Sequence, residues 1–205
     1  MLLNDREIKK RCVGVNKPMI SPFLNGQIKT GINFFGGEMP IISKGLSSCG
    51  YDICLSPKEL LLFMHPNDPQ QESAVDPKHF DQRILASLSI EHSWDGSYFA
   101  IPPDGYVLGV SVEKMQMPPD IAGIVTGKST LARVGIIVNI TPLEPGWEGY
   151  ITLEFKNTLP LPVKLYANEG VAQINFHKID LPEVSYADRK GKYQGQDDRV
   201  IFAKV

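Results

Sequence analysis

A chain of 205 residues with 42% hydrophobic and 21% charged residues has an ordinary globular makeup and enough apolar content to fill a core. Its net charge of -2 and isoelectric point near 6.1 exclude a sequence-blind nucleic-acid binder, because neutralising phosphates along a strand needs an excess of cations. No apolar run approaches the ~18 residues of a membrane span, and three cysteines, Cys12, Cys49 and Cys54, lack framework spacing, as expected of reduced thiols in the cytoplasm.

The opening "MLLNDREIKK" has no apolar core between a basic start and a cleavage site, so no signal peptide is expected. "NDREIKKRC" predicts a short helix instead, with Asn4 as its cap, Glu7 closing a capping box and Ile8 on the apolar face. Beyond it, prolines and glycines punctuate short alternating runs. "GYDICLS" at 50–56, "GYVLGVSV" at 105–112, "GYITLEF" at 149–155, "PVKLYA" at 162–167 and "GVAQINF" at 170–176 have strand length and turn residues at their edges. "STLARVG" at 129–135 predicts a second short helix, capped by Ser129 and left at Gly135. The Pro-interrupted stretch 65–82 is expected as a surface loop and the polar segment 188–198 as a mobile tail. Many short strands, few helices and no internal repeat predict an all-β barrel or jelly roll in one domain over 1–205.

Several chemistries fail on spacing. "TGKSTLARVG" resembles a Walker loop, but only three residues separate Gly123 from Gly127 where a P-loop needs four between its glycines. What remains is Gly127, Lys128, Ser129, Thr130 and Arg133 within seven residues, which suits a polyphosphate. Neither His65, His79, His92 nor His177 begins an H-x-E triplet. Cys49 and Cys54 are too far apart for C-x-x-C and no Pro-Cys occurs, so no zinc is expected. No G-x-S-x-G elbow supports a serine hydrolase.

Strand alternation places Tyr150, Thr152, Glu154 and Lys156 on one face and Ile151, Leu153 and Phe155 on the other. On pattern alone, Glu154 reads as a solvated strand carboxylate, Ser129 as a helix cap and Arg133 as a surface ion-pair partner. Trp147 reads equally as a core aromatic or as a ligand wall.

The run Gly127 to Phe176, "GKSTLARVGIIVNITPLEPGWEGYITLEFKNTLPLPVKLYANEGVAQINF", with "SSCGYDICLS" upstream and "SYADRKGKYQGQ" downstream, resembles the dCTP deaminase branch of the dUTPase-like superfamily. That resemblance implies a distorted β-barrel with short helices. It further implies a homotrimer with active sites between subunits and a C-terminal lid at about 186–205. The implied activity is hydrolysis of dCTP to dUTP and ammonia without zinc, on a triphosphate that carries Mg2+, in pyrimidine deoxynucleotide metabolism. Glu154 matches the family's catalytic glutamate, which takes a proton from water and delivers it to the ring. Ser129 and Arg133 match residues beside the reacting base, and Lys128 and Thr130 match phosphate contacts. Around Thr141 and Pro142, main-chain groups are expected to hold the water and read cytosine. Glu144 is expected to reach the sugar 3′-hydroxyl and Trp147 to pack on the deoxyribose. Tyr186, Lys192, Tyr193 and Gln196 match the segment that folds over the triphosphate.

The chain departs from the family pattern at Cys49 and Cys54, which stand where Tyr and Arg are usual, and at Asp197-Asp198, where the pattern continues towards Gly-Val. Two other readings stay open at this level. One is a bifunctional deaminase and diphosphatase giving dUMP, which the carboxylate of Glu144 permits. The other is a non-catalytic nucleotide-binding protein on the same scaffold.

Overall fold

The structure is a computed structural model in which residues 1–64 and 74–204 are described; His65 and the first half of the expected 65–82 loop lie outside them. The first expected helix forms as α1, Asp5–Lys10. Asn4 caps it, accepting from the Glu7 N–H at 3.0 Å, and Ile8 is fully buried. The reciprocal half of the expected capping box does not form. The Glu7 carboxylate accepts from Lys10 and Arg11, at 2.7 and 3.2 Å, because cations one turn on outcompete a neutral N–H.

Thirteen strands are described. They are β1 Ile20–Ser21, β2 Gln27–Ile32, β3 Glu38–Leu46, β4 Tyr51–Phe63, β5 Leu85–Ser87, β6 Glu91–Ser93 and β7 Gly96–Ile101, followed by β8 Tyr106–Gln116, β9 Ile121–Gly127, β10 Ile136–Asn139, β11 Glu148–Asn157, β12 Val163–Tyr166 and β13 Gly170–Lys178. Every strand pair is antiparallel. The main sheet path runs β10-β11-β8-β4-β13-β9, and β12-β7-β6 form a small sheet beside it.

β4 joins the two halves of the main path. Its start pairs with β13, Tyr51 opposite Ile174, while its end pairs with β8, Leu61 opposite Leu108. The register shifts between Leu55 and Leu60, which turns the strand from one layer into the other. Residues 51–56 are all buried, and this is the part expected as a strand; the continuation opens on Pro57, Lys58 and Glu59, none of them buried, which interrupt the pattern before Leu60. The core gathers on this strand: Ile53, Leu55 and Leu60 pack with Val107, Leu153, Phe155, Ile174 and Phe176. Among the described residues no helix is long and apolar enough to cross a membrane.

Between β9 and β10 the second expected helix shrinks to one turn, α2, Ser129–Ala132. Its N-cap is Lys128, without a side-chain cap bond, and Ser129 is the first helical residue rather than the cap. Gly135 leaves the turn at φ 77°, as the expected exit.

Candidate functional site

β11 carries the alternation expected of it: Ile151, Leu153 and Phe155 are buried, and Tyr150, Thr152, Glu154 and Lys156 face the other way. Glu154 lies between Asn139 of β10 and Leu108 of β8 in the strand register. Its Oε2 accepts from the Asn139 side-chain amide at 2.7 Å and from the Tyr106 hydroxyl at 3.4 Å. Burial, then the charge of Glu154, raises the Tyr106 phenol above its ordinary pKa.

Glu154 lines a cavity of about 530 Å³. One wall is the loop 140–147, pinned to β9 by paired backbone bonds between Gly123 and Leu143, at 2.8 and 2.9 Å. From this loop Thr141, Pro142, Glu144 and Trp147 line the cavity. Trp147 is 6% exposed within the core cluster and also lines the cavity. Its indole N–H donates to the Tyr193 carbonyl at 2.8 Å.

The tail supplies the opposite wall. Tyr186, Tyr193 and Gln196 line the cavity. The segment expected to be mobile packs against its own chain. Tyr186 N–H donates to Pro145 O at 3.0 Å, the Tyr193 N–H donates to the Tyr186 hydroxyl at 3.0 Å, and the Tyr150 N–H donates to Gln196 O at 3.0 Å. Gly149 makes that last approach possible. It sits at φ 150°, and a Cβ there would stand 2.7 Å from Gln196 N. Past Gln196, Asp198 pairs with Lys58 and the Val200 N–H donates to the Glu59 carboxylate. Asp198 therefore has a basic partner of its own. Val200 is buried with Leu61 and Leu108, Phe202 stacks on Phe80 at 5.6 Å, and Ile201 and Ala203 complete the cavity wall.

The remaining expected residues stand apart from this cavity. Lys128 Nζ donates to Asp52 at 2.6 Å and to Ser43 at 3.0 Å; the lysine side chain is 10% exposed and the aspartate 1%. The other Asp52 oxygen accepts from Gln173 at 3.0 Å. Lys128 is thus an internal ion-pair partner in the single chain. Ser129, Thr130 and Arg133 are exposed, with Arg133 donating to Ser129 at 3.5 Å. Register explains the gap. β10 begins with Ile136 opposite Asn157 and ends with Asn139 opposite Glu154, so α2 lies beyond the far end of the pair, roughly 10 Å from Glu154 at about 3.4 Å per residue. Lys192 is exposed outside the cavity, its Nζ donating to Lys204 O at 3.4 Å.

Residues that sequence reasoning passed over also line the cavity: Phe63, Phe80, Tyr106, Leu108, Thr152 and Ile201 among them. Thr152 shares the polar face of β11 with Glu154 and was within reach of the alternation. Tyr106 and Asn139 meet Glu154 only through cross-strand register, which no local pattern encodes. Among the described residues no three His, Cys, Asp or Glu side chains gather as metal ligands.

Comparison with known proteins places the chain in a family. Residues 2–179 match the sequence model of the dCTP deaminase-like family. A dCTP deaminase of Acidobacterium capsulatum is 44% identical over 199 residues, covering 97% of this chain and 96% of that protein. A dCTP deaminase of Francisella philomiragia is 47% identical over 194 residues, 94% of each chain. Among solved structures, the 2′-deoxycytidine 5′-triphosphate deaminase of Agrobacterium tumefaciens shares the fold, with a TM-score of 0.50 and 12% identity over 86% of this chain and 47% of that one. The family match over residues 2–179 and identities of 44% and 47% along nearly the whole chain give one answer: the chain belongs to the dCTP deaminase-like family.

Proposed function

We propose that this protein is a cytoplasmic dCTP deaminase that hydrolyses dCTP to dUTP and ammonia in pyrimidine deoxynucleotide metabolism, with Glu154 as general base and acid. The observation that carries this reading is the position of Glu154. A single carboxylate projects from β11 into a largely apolar cavity whose other walls are the loop 140–147 and the tail. Cytosine bound there sets C4 beside the carboxylate. Water adds to C4 while Glu154 takes its proton; that proton passes to N3, giving a tetrahedral intermediate. A second proton from the added hydroxyl then travels through Glu154 to the amino group, C4–N4 breaks, and ammonia leaves with the carbonyl formed. Each proton removed is redelivered, so the carboxylate ends as it began. A cavity lined by Phe63, Phe80, Trp147 and Ile201 keeps bulk water from these transfers.

The main chain at Thr141 and Pro142 reads the cytosine edge, Glu144 takes the 3′-hydroxyl, and Trp147 packs on the deoxyribose. Tyr186, Tyr193 and Gln196 cover the nucleotide, with Lys192 reaching the triphosphate. Magnesium arrives with the substrate, on the phosphates. Lys128, Ser129, Thr130 and Arg133 suit phosphate and the developing charge, but in a single chain they lie away from Glu154. A homotrimer in which one subunit's α2 meets its neighbour's cavity brings them together. Ile124, Val134 and Ile137, apolar and exposed around α2, give that contact an apolar surface.

Ammonia release from Mg·dCTP, wild type against Glu154→Gln, tests the proposal. The variant keeps the shape and loses the base, so turnover falls at least the ~10²–10⁴-fold typical of a lost general acid–base. Near-normal turnover refutes the assignment. The same incubation with dUTP separates a deaminase from a bifunctional enzyme, which alone releases pyrophosphate.

A further inference from the structure

The proposed reaction asks one carboxylate to take and return protons in a fixed direction, and the two oxygens of Glu154 are not equivalent. Oε2 accepts two hydrogen bonds, from Asn139 Nδ2 at 2.7 Å and from the Tyr106 hydroxyl at 3.4 Å. Among the described residues Oε1 accepts none. An ionised carboxylate only accepts, so Asn139 must present its NH2 and Tyr106 its O–H. Both donors are themselves held. Asn139 is the direct cross-strand partner of Glu154 at the end of β10. The Tyr106 ring stands edge-on to Phe63, centroids 5.4 Å apart, and Phe63 meets Phe80 in turn at 6.1 Å.

The charge around Glu154 makes these bonds matter. Titratable neighbours lining the cavity are Tyr106 from β8, Glu144 from the loop, and Tyr186 and Tyr193 from the tail, none of them a cation. Lys156, two residues along the same face, is taken up by Asp104, donating to its carbonyl at 2.6 Å and pairing with its carboxylate. The short amide bond from Asn139 is therefore the strongest support the ionised form receives within the chain.

We infer that Asn139 and Tyr106 are positioning residues for Glu154: by occupying Oε2 they fix the carboxylate plane and leave Oε1 as the oxygen that takes and returns the proton. This rests on Glu154 being the base. Without the Asn139 donor the carboxylate turns about its terminal torsion, which is broad and two-fold, and its charged form loses support.

The test is steady-state deamination of Mg·dCTP, with kcat and KM determined separately, by Asn139→Leu, Asn139→Ser, Tyr106→Phe and Glu154→Gln, with melting curves to confirm folding. Asn139→Leu, isosteric without a donor, lowers kcat ~10–100-fold, the scale of one hydrogen bond to a charged group. KM stays within about 3-fold, because the lost contact is not to substrate. Asn139→Ser, which keeps a shorter donor, recovers part of the lost kcat. Tyr106→Phe keeps the ring contact and costs less, about 3-fold, matching its longer bond. If Asn139→Leu does not fold, Asn139→Ser and Tyr106→Phe carry the test, and a wild-type kcat in both overturns the inference. An inactive Glu154→Gln beside unaffected Asn139 and Tyr106 variants refutes the positioning role alone. An active Glu154→Gln refutes the base and, with it, this inference.

Discussion

Glu113 lies inside β8 at 2% exposure, its carboxylate accepting from the Cys54 N–H at 2.9 Å. The family resemblance puts an arginine where Cys54 stands, so this carboxylate lacks the cation that position would otherwise supply. Burial pushes its pKa up to about 7, against 4.5 in the unfolded chain. The native state then holds a proton that the unfolded state releases, and stability falls as pH rises from about 4.5 through 7, levelling off above. The whole drop is ~3 kcal/mol, from 1.36 kcal/mol per pKa unit. Urea unfolding at about pH 5 and about pH 8 measures it, and Glu113→Gln flattens the profile over that window. A wild-type profile already flat there shows that Glu113 is not the group that titrates. The departure at Cys54 was visible in the sequence; the carboxylate facing it, 59 residues away, was not. The face that Glu154 occupies was legible for the opposite reason, because its neighbours Ile151, Leu153 and Phe155 state which face of β11 is buried; the role expected of it came from the family resemblance alone.

At the scale of elements, the tail shows what local reading misses. As composition, 188–198 is polar and Gly-bearing and suggests motion. Its order comes from contacts written elsewhere in the chain: the Pro145 carbonyl, the Trp147 indole, Gly149, Lys58 and Glu59. β4 was half-legible for a local reason: its first half, 51–56, was expected as a strand, while Pro57, Lys58 and Glu59 interrupt the pattern of the second. The last contact of the tail, Phe202 on Phe80, closes a small apolar cluster with Leu61, Phe63, Leu108 and Val200 beside the cavity. Phe202→Ala removes the stacking and part of the burial, ~1–2 kcal/mol. Because that cluster is separate from the main core, the cost falls on tail docking. KM for dCTP rises up to about 10-fold as the docked fraction drops, while the melting temperature moves by no more than a few degrees. Asp198→Ala, which breaks an exposed pair, changes KM less than about 2-fold. Equal effects from the two substitutions show that the apolar contact does not hold the tail.

For the whole molecule the decisive geometry is the separation of two residue sets within one chain. Glu154 lines the cavity with the loop and the tail, while Ser129, Thr130 and Arg133 are exposed on α2 beyond the far end of the β10–β11 pair. If one subunit's cavity is completed by its neighbour's α2, then two dead variants make live sites together. Glu154→Gln lacks the base and keeps Arg133; Arg133→Ala lacks the guanidinium and keeps the base. In mixed trimers, a cavity on an Arg133→Ala subunit facing the α2 of a Glu154→Gln subunit has every group intact. Random assembly at equal amounts gives about one site in four of this kind, half the cavities times half the partners in a closed ring. Co-expressed or co-refolded mixtures therefore recover about a quarter of wild-type dCTP turnover from parents that have almost none. A site completed within its own subunit cannot be rescued this way, since every subunit in the mixture carries one lesion. Mixtures no more active than their parents, with mixed trimers verified by mass, assign α2 and Glu154 to the same chain.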